Sequence, residues 1–167
     1  KKKGKHLEIY YKKLLILCLL IYSTAHSKEK TKSHKIIMLG DSLTAGYGVM
    51  ESQAYPSLVE QQLTQEGFSI KIINASISGS TTASGLSRLK WQLKSQPTHL
   101  FLALGANDGL RGIKIEEITK NLEKTILEAK KNGIKVMIAG MKVPPNYGPK
   151  HSKEFESVFI KLSKKHN

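Results

Sequence analysis

Lys35–Gly48 reads K-I-I-M-L-G-D-S-L-T-A-G-Y-G, and this stretch decides the fold. Lys35 to Leu39 is a short apolar run rich in β-branched residues. It stops at Gly40, the pattern of a strand buried on both faces. Ser42 follows at once, on a turn flanked by Gly40 and Gly46. Working outward, Pro56 to Glu66 spaces Leu58, Val59 and Leu63 as a helix does, and Gly67 ends it. Ser69 to Asn74 predicts a second strand, Ala83 to Lys94 a second helix and Thr98 to Leu104 a third strand. Ile115 to Asn132 predicts a third helix, Ile134 to Ala139 a fourth strand and Ser152 to Lys165 a fourth helix. Strands alternating with helices imply βαβ units, hence an α/β fold with a parallel sheet.

Composition bounds the function. The chain has 167 residues, which suits one domain, and 40% are hydrophobic, which excludes a disordered or collagen-like chain. Lys and Arg total 27 against 13 Asp and Glu, a net +14, yet only Arg88 and Arg111 are Arg. Dispersed Lys without a nucleic-acid motif argues against nucleic acid as a partner. The single Cys18 excludes a disulfide framework and a Cys-based zinc site. No metal-ligand cluster or phosphate-binding glycine motif is visible, so no metal or cofactor is expected.

The first 25 residues read as a leader. Six Lys surround the start, Leu14 to Tyr22 is apolar, and Ser23-Thr24-Ala25 offers small residues for cleavage. That is the secretory signal pattern, and it implies a secreted or periplasmic protein. Nine apolar residues are too short for a membrane span, which takes about 20. Removing six Lys and one Glu with residues 1–25 lowers +14 to +9. Residues 26–34 are a polar, Lys-rich linker, and 35–167 form the folded domain.

Ligands of open α/β sheets bind outside the carboxyl ends of the strands. Three such loops are rich in Gly, Ser, Asn and Asp: Gly40 to Gly48, Asn74 to Thr82 and Gly105 to Gly112. Ser42 at the sheet rim suits a nucleophile, or a helix cap. The Ser42 and Gly79 N–H groups and the Asn107 amide can converge as an oxyanion hole. Each such donor is worth roughly 3–4 kcal/mol in hydrolases that use one. Gly79 and Asn107 also suit ordinary turns. Asp41 and Asp108 are the only Asp residues, and both lie in these loops.

G-D-S-L at 40–43, Gly79 in the second loop and G-A-N-D at 105–108 together resemble the first three blocks of the SGNH/GDSL hydrolases. The bacterial periplasmic acyl-CoA thioesterase/lysophospholipase/arylesterase subgroup is similar through L-G-D-S-L-T-A-G-Y, N-A-S-I-S-G, G-A-N-D-G-L-R-G and P-P-N-Y-G. The resemblance runs from about Ile36 to Asn167. It implies a three-layer α/β/α flavodoxin-like parallel sheet with Ser42 as nucleophile. The oxyanion hole would be the Ser42 N–H, the Gly79 N–H and the Asn107 side chain. Asp41 and Asp108 would organise the loops, while Leu110, Arg111, Val143, Pro144 and Tyr147 would border the acyl crevice. A small-molecule or lipid ester or thioester is the implied substrate, and a monomer the expected state.

One block of the resemblance is missing. The family's D-x-x-H supplies the general base and its orienting Asp, and none of the six His here has Asp three residues before it. His151 is expected as a solvated loop residue. The expectation is a sequence truncated before its last strand and helix, inactive without the base. A non-catalytic lipid- or glycan-binding module of the same fold is the alternative. A basic binder of anionic membranes is a third reading.

Overall fold

A computed structural model of the chain describes residues 33–166. The expected leader (1–25) and linker residues 26–32 lie outside the described residues. Four strands form one parallel sheet in the order β2-β1-β3-β4. They are β1 (His34–Gly40), β2 (Ile70–Asn74), β3 (His99–Ala103) and β4 (Lys135–Ile138). His34, expected in the linker, is the first residue of β1 and pairs with Ile70. Leu39 and Gly40 of β1 lie opposite Leu102 and Ala103 of β3. The two central strands therefore end level, and their following loops meet at one rim.

Six α-helices flank the sheet among the described residues: α1 (Ser42–Ala45), α2 (Tyr55–Gln65), α3 (Gly85–Gln92), α4 (Ala106–Leu110), α5 (Ile115–Lys131) and α6 (Pro149–Lys165). No helix among them is long and apolar enough to cross a membrane. α5 buries Ile118, Leu122, Ile126 and Ala129 at helical spacing. Glu116 and Glu117 in its first turn and Lys130 and Lys131 in its last complement the helix dipole. α6 buries Phe155, Val158, Phe159 and Leu162. Both stripes join Leu89 of α3 over Ile37, Leu39, Leu100 and Leu102 of the central strands. Successive strand residues point to opposite faces, so Phe101 turns away from this core. It meets the Tyr55 ring of α2 edge-on, at 6.4 Å between centroids.

The helix expected over 83–94 is three pieces, with 3-10 turns at Thr82–Ser84 and Leu93–Ser95 around α3. The last helix starts at Pro149, three residues before the expected Ser152. Proline is suited to a helix's first position because its missing N–H has no helical partner there. α1 and α4 lie within the loops that carry the chemistry, and their few residues present no periodicity to read.

Leu102 is fully buried between these layers. Leu102→Ala should cost about 2–5 kcal/mol, read as a lower urea midpoint with unchanged slope. A further tie joins the middle of α5 to the C-terminal end of α6. Glu123 accepts from Lys165 Nζ and pairs with His166 Nε2, both at 2.8 Å. Lys165, then His166, hold the Glu123 carboxyl below its ordinary pKa. A depressed carboxylate stabilises the fold above its unfolded-state pKa, and that contribution is lost as pH falls through the folded value. Glu123→Gln should therefore lower the thermal midpoint slightly at neutral pH. The difference from the parent should vanish in acid, in paired melts across pH.

Candidate active site

β1 runs straight into the first loop. The chain folds back so tightly after Gly40 that a Cβ there would sit 2.2 Å from Thr44 Oγ1. Only glycine fits that approach without displacing Thr44. Asp41 then caps α1: its Oδ1 accepts the Leu43 N–H at 3.1 Å. Ser42 is the first residue of the helix, so the capping role falls to its neighbour. Thr44 is buried and accepts from the Tyr55 hydroxyl at 2.8 Å. Its carbonyl accepts from Asn74 Nδ2 at 2.8 Å, which joins the first loop to the end of β2.

The second loop is a tight turn. The Ser80 N–H donates to Ile77 O at 3.1 Å, and Gly79 sits between them with φ +78°. That left-handed backbone suits glycine alone among common residues. The Ile77 N–H donates to Gly40 O at 3.2 Å, holding the turn against the strand that leads to Ser42. Asn107 Nδ2 in α4 donates to Ser80 O at 3.0 Å, bringing the third loop to the second. The amide keeps a second hydrogen for another acceptor. No hydrogen bond within the described residues uses the Ser42 N–H, the Gly79 N–H or the Ser42 hydroxyl.

Asp108 locks the third loop from below. It is 1% exposed. Its Oδ2 accepts the Thr82 N–H at 2.9 Å and its Oδ1 the Thr82 hydroxyl at 2.6 Å. Asn121 of α5 donates to the same Thr82 hydroxyl at 3.3 Å. Among the described residues, neither Asp is bonded to a histidine.

The five residues expected along the crevice divide. Leu110 and Pro144 are exposed, and the Tyr147 hydroxyl donates to Leu110 O at 3.0 Å, bridging the third and fourth loops. Arg111 Nη2 donates to Gly79 O at 3.2 Å, directly beside the turn. Val143 sits deeper than the other four. It is only 7% exposed and packs into the core, facing the Cα of Gly109 where a Cβ would meet its Cγ1 at 2.4 Å. Its apolar neighbours Met141 and Phe155 draw it inward.

None of the described histidines is bonded to Ser42. His34 and His99 meet edge-on at the opposite end of the sheet, 5.2 Å between centroids. His166 pairs with Glu123. His151, expected to be solvated in a loop, lies in the first turn of α6 instead. Its ring sits between Tyr147 and Phe155, at 6.3 and 6.5 Å, with Nε2 buried and unbonded. Arg88 is the site residue that sequence reasoning missed. Its one sequence signal is that it is Arg in a chain whose basic residues are nearly all Lys.

The profile of the GDSL-like lipase/acylhydrolase family matches residues 38–166. An arylesterase of Vibrio mimicus is 41% identical over 152 residues, covering 90% of this chain and 74% of its own length. Thioesterase 1/protease 1/lysophospholipase L1 of Escherichia coli (strain K12) is 35% identical over 130 residues. That match covers 77% of this chain but 61% of the relative, so the chain spans less than two thirds of it. The crystal structure of the psychrotrophic esterase EstA from Pseudoalteromonas sp., inhibited by monoethylphosphonate, superposes with TM-score 0.77 at 37% identity. It covers 81% of this chain and 74% of its own.

Removing the Asp108 carboxylate leaves the Thr82 N–H and hydroxyl without their acceptor in a buried place. Asp108→Ala should cost about 3 kcal/mol, measurable by urea unfolding.

Proposed function

The chain belongs to the GDSL-like lipase/acylhydrolase family, and from that premise we propose that it is a serine hydrolase of carboxylic esters and thioesters. One observation carries the reading: the Ile77 N–H to Gly40 O and Asn107 Nδ2 to Ser80 O bonds tie the three loops together, and no bond among the described residues uses the Ser42 hydroxyl, its N–H or the Gly79 N–H. In this reading Ser42 Oγ attacks the acyl carbonyl carbon. The carbonyl π electrons move to oxygen, and the Ser42 and Gly79 N–H groups and the free Asn107 amide hydrogen stabilise that oxyanion. Collapse of the tetrahedral intermediate expels the alcohol or thiol and leaves an acyl-serine. Water then attacks the acyl-serine through the same intermediate geometry and releases the acid.

A serine hydroxyl is a weak nucleophile until a base takes its proton. Among the described residues no histidine is bonded to Ser42. We assign that role in the whole protein to the Asp-x-x-His pair that the family resemblance implies. Asp108 does not compete for it, because both its oxygens serve Thr82, while Asp41 caps the Leu43 N–H through Oδ1. The phosphonate that inhibits the related esterase mimics such a tetrahedral adduct, which supports attack by Ser42. Leu110, Pro144 and Tyr147 line one side of the rim and would contact the acyl group. The basic, apolar and small-residue order of the first 25 residues supports action outside the cytoplasm.

The full-length protein should hydrolyse p-nitrophenyl acetate and take up a fluorophosphonate probe at Ser42. Ser42→Ala should abolish labelling and lower turnover at least ~10³-fold. Undiminished turnover in Ser42→Ala would refute the reading.

A further inference from the structure

Arg88 belongs to no part of the mechanism above, yet its side chain reaches two of the loops that build the site. It projects from α3, and its Nη1 donates to Ser80 Oγ at 2.8 Å and, more distantly, to Gly40 O at 3.4 Å. Gly40 ends the strand before Asp41 and Ser42. Ser80 closes the turn that holds Gly79, and its carbonyl carries the Asn107 amide. The contacts form a ring: Gly40 O accepts the Ile77 N–H, Ile77 O accepts the Ser80 N–H, and Arg88 joins Ser80 back to Gly40.

Two further facts separate this guanidinium from a chance surface cation. First, no carboxylate among the described residues forms a salt bridge with it, and its Nη2 is buried without a partner. Burial alone pulls its pKa down. A guanidinium nonetheless stays charged at neutral pH, so the site keeps an unneutralised cation behind the turn. Second, the chain has 27 basic residues, of which only Arg88 and Arg111 are Arg. Both donate to the Gly79–Ser80 segment, Arg88 to the Ser80 hydroxyl and Arg111 to Gly79 O. Lysine offers a flexible point charge, whereas the planar fork of Arg serves two acceptors in fixed geometry.

We propose that Arg88 is a positioning residue for the oxyanion hole. It pins the Ile77–Ser80 turn, and through Ser80 the Asn107 amide, to the strand that presents Ser42. The role rests on the hydrolase reading of the same site. Misplacing donors by a fraction of an ångström weakens contacts made in the transition state more than those made with bound ester, so the loss falls on kcat.

The test compares the full-length protein with Arg88→Met and Arg88→Lys. On p-nitrophenyl butyrate, Arg88→Met should lower kcat at least about tenfold while KM stays within about twofold. Arg88→Lys should recover part of the loss, which general destabilisation would not produce in a kcat-only pattern. Amide exchange read by NMR should be about tenfold faster at Ile77 and Ser80 in Arg88→Met and unchanged at Leu102. Unchanged exchange at Ile77 and Ser80 together with kcat within about twofold of the parent would overturn the proposal. Should Arg88→Met fail to fold, Arg88→Lys decides alone: values equal to the parent in both measurements overturn it. Failure of the hydrolase reading looks different, because the unsubstituted protein would then turn over no ester, while exchange would still report on the pinning.

Discussion

The carboxylate of Asp108 is the fixed point on which the candidate site depends. It is buried with no cation beside it and holds the Thr82 N–H and hydroxyl. An ionised carboxylate withdrawn from water is tolerated only where donors replace its hydration. Those two donors belong to the end of the second loop, and Asp108 itself belongs to the third. These two bonds tie the third loop, which carries Asn107, to the end of the second. Asn121 of α5, bonded to the same Thr82 hydroxyl, extends the constraint to the helix layer.

Around that point the site is built largely by contacts that carry no chemistry themselves. Asn74 and Tyr55 fix Thr44 and so orient the first loop. The Ile77 N–H and Arg88 fix the second loop to Gly40. Tyr147 and Arg111 bridge the outer rim. Among the groups left unbonded are the Ser42 hydroxyl and the Ser42 and Gly79 N–H groups. Preorganisation requires this division: donors aimed at a developing charge must already be in place and must not be consumed by the resting fold.

The layers were legible because periodicity reports burial. The strands at 35–39, 69–74, 98–104 and 134–139 follow from short apolar runs, and the long stripe of α5 from helical apolar spacing. The three loops were legible because Gly, Asn, Asp and Ser cluster where the backbone must turn sharply. What escaped reading depends on contacts distant in sequence. Val143 looks like a rim residue beside Pro144, and only the approach of Gly109 and Phe155 draws it into the core. His151 looks like a solvated loop residue until Tyr147 and Phe155 enclose its ring. Arg88 sits on an ordinary helix, and nothing local says that its tip lies under Ser80. The short helices α1 and α4 were hidden for a different reason: four or five residues are fewer than the window in which a 3.6-residue period can be seen.

The two Asp residues of the chain also show why residue type mattered more than charge. Asp41 reaches the Leu43 N–H from the N-cap position because its carboxylate is one methylene from the backbone. Glutamate at the same place would carry its oxygens past that donor. Asp108 must reach the Thr82 N–H and hydroxyl at once across the gap between two loops, and a shorter arm fixes that gap more tightly than a longer one. All the other acids of the chain are Glu. Those seen in ion pairs, Glu60, Glu123 and Glu156, serve surface ties where a longer, freer arm loses little. Asp108 thus has both oxygens committed to Thr82, whereas Asp41 holds the Leu43 N–H with one oxygen and keeps Oδ2 buried without a partner. Among the described residues neither meets an imidazole, so in the hydrolase reading the acid that orients the base belongs to the Asp-x-x-His block itself.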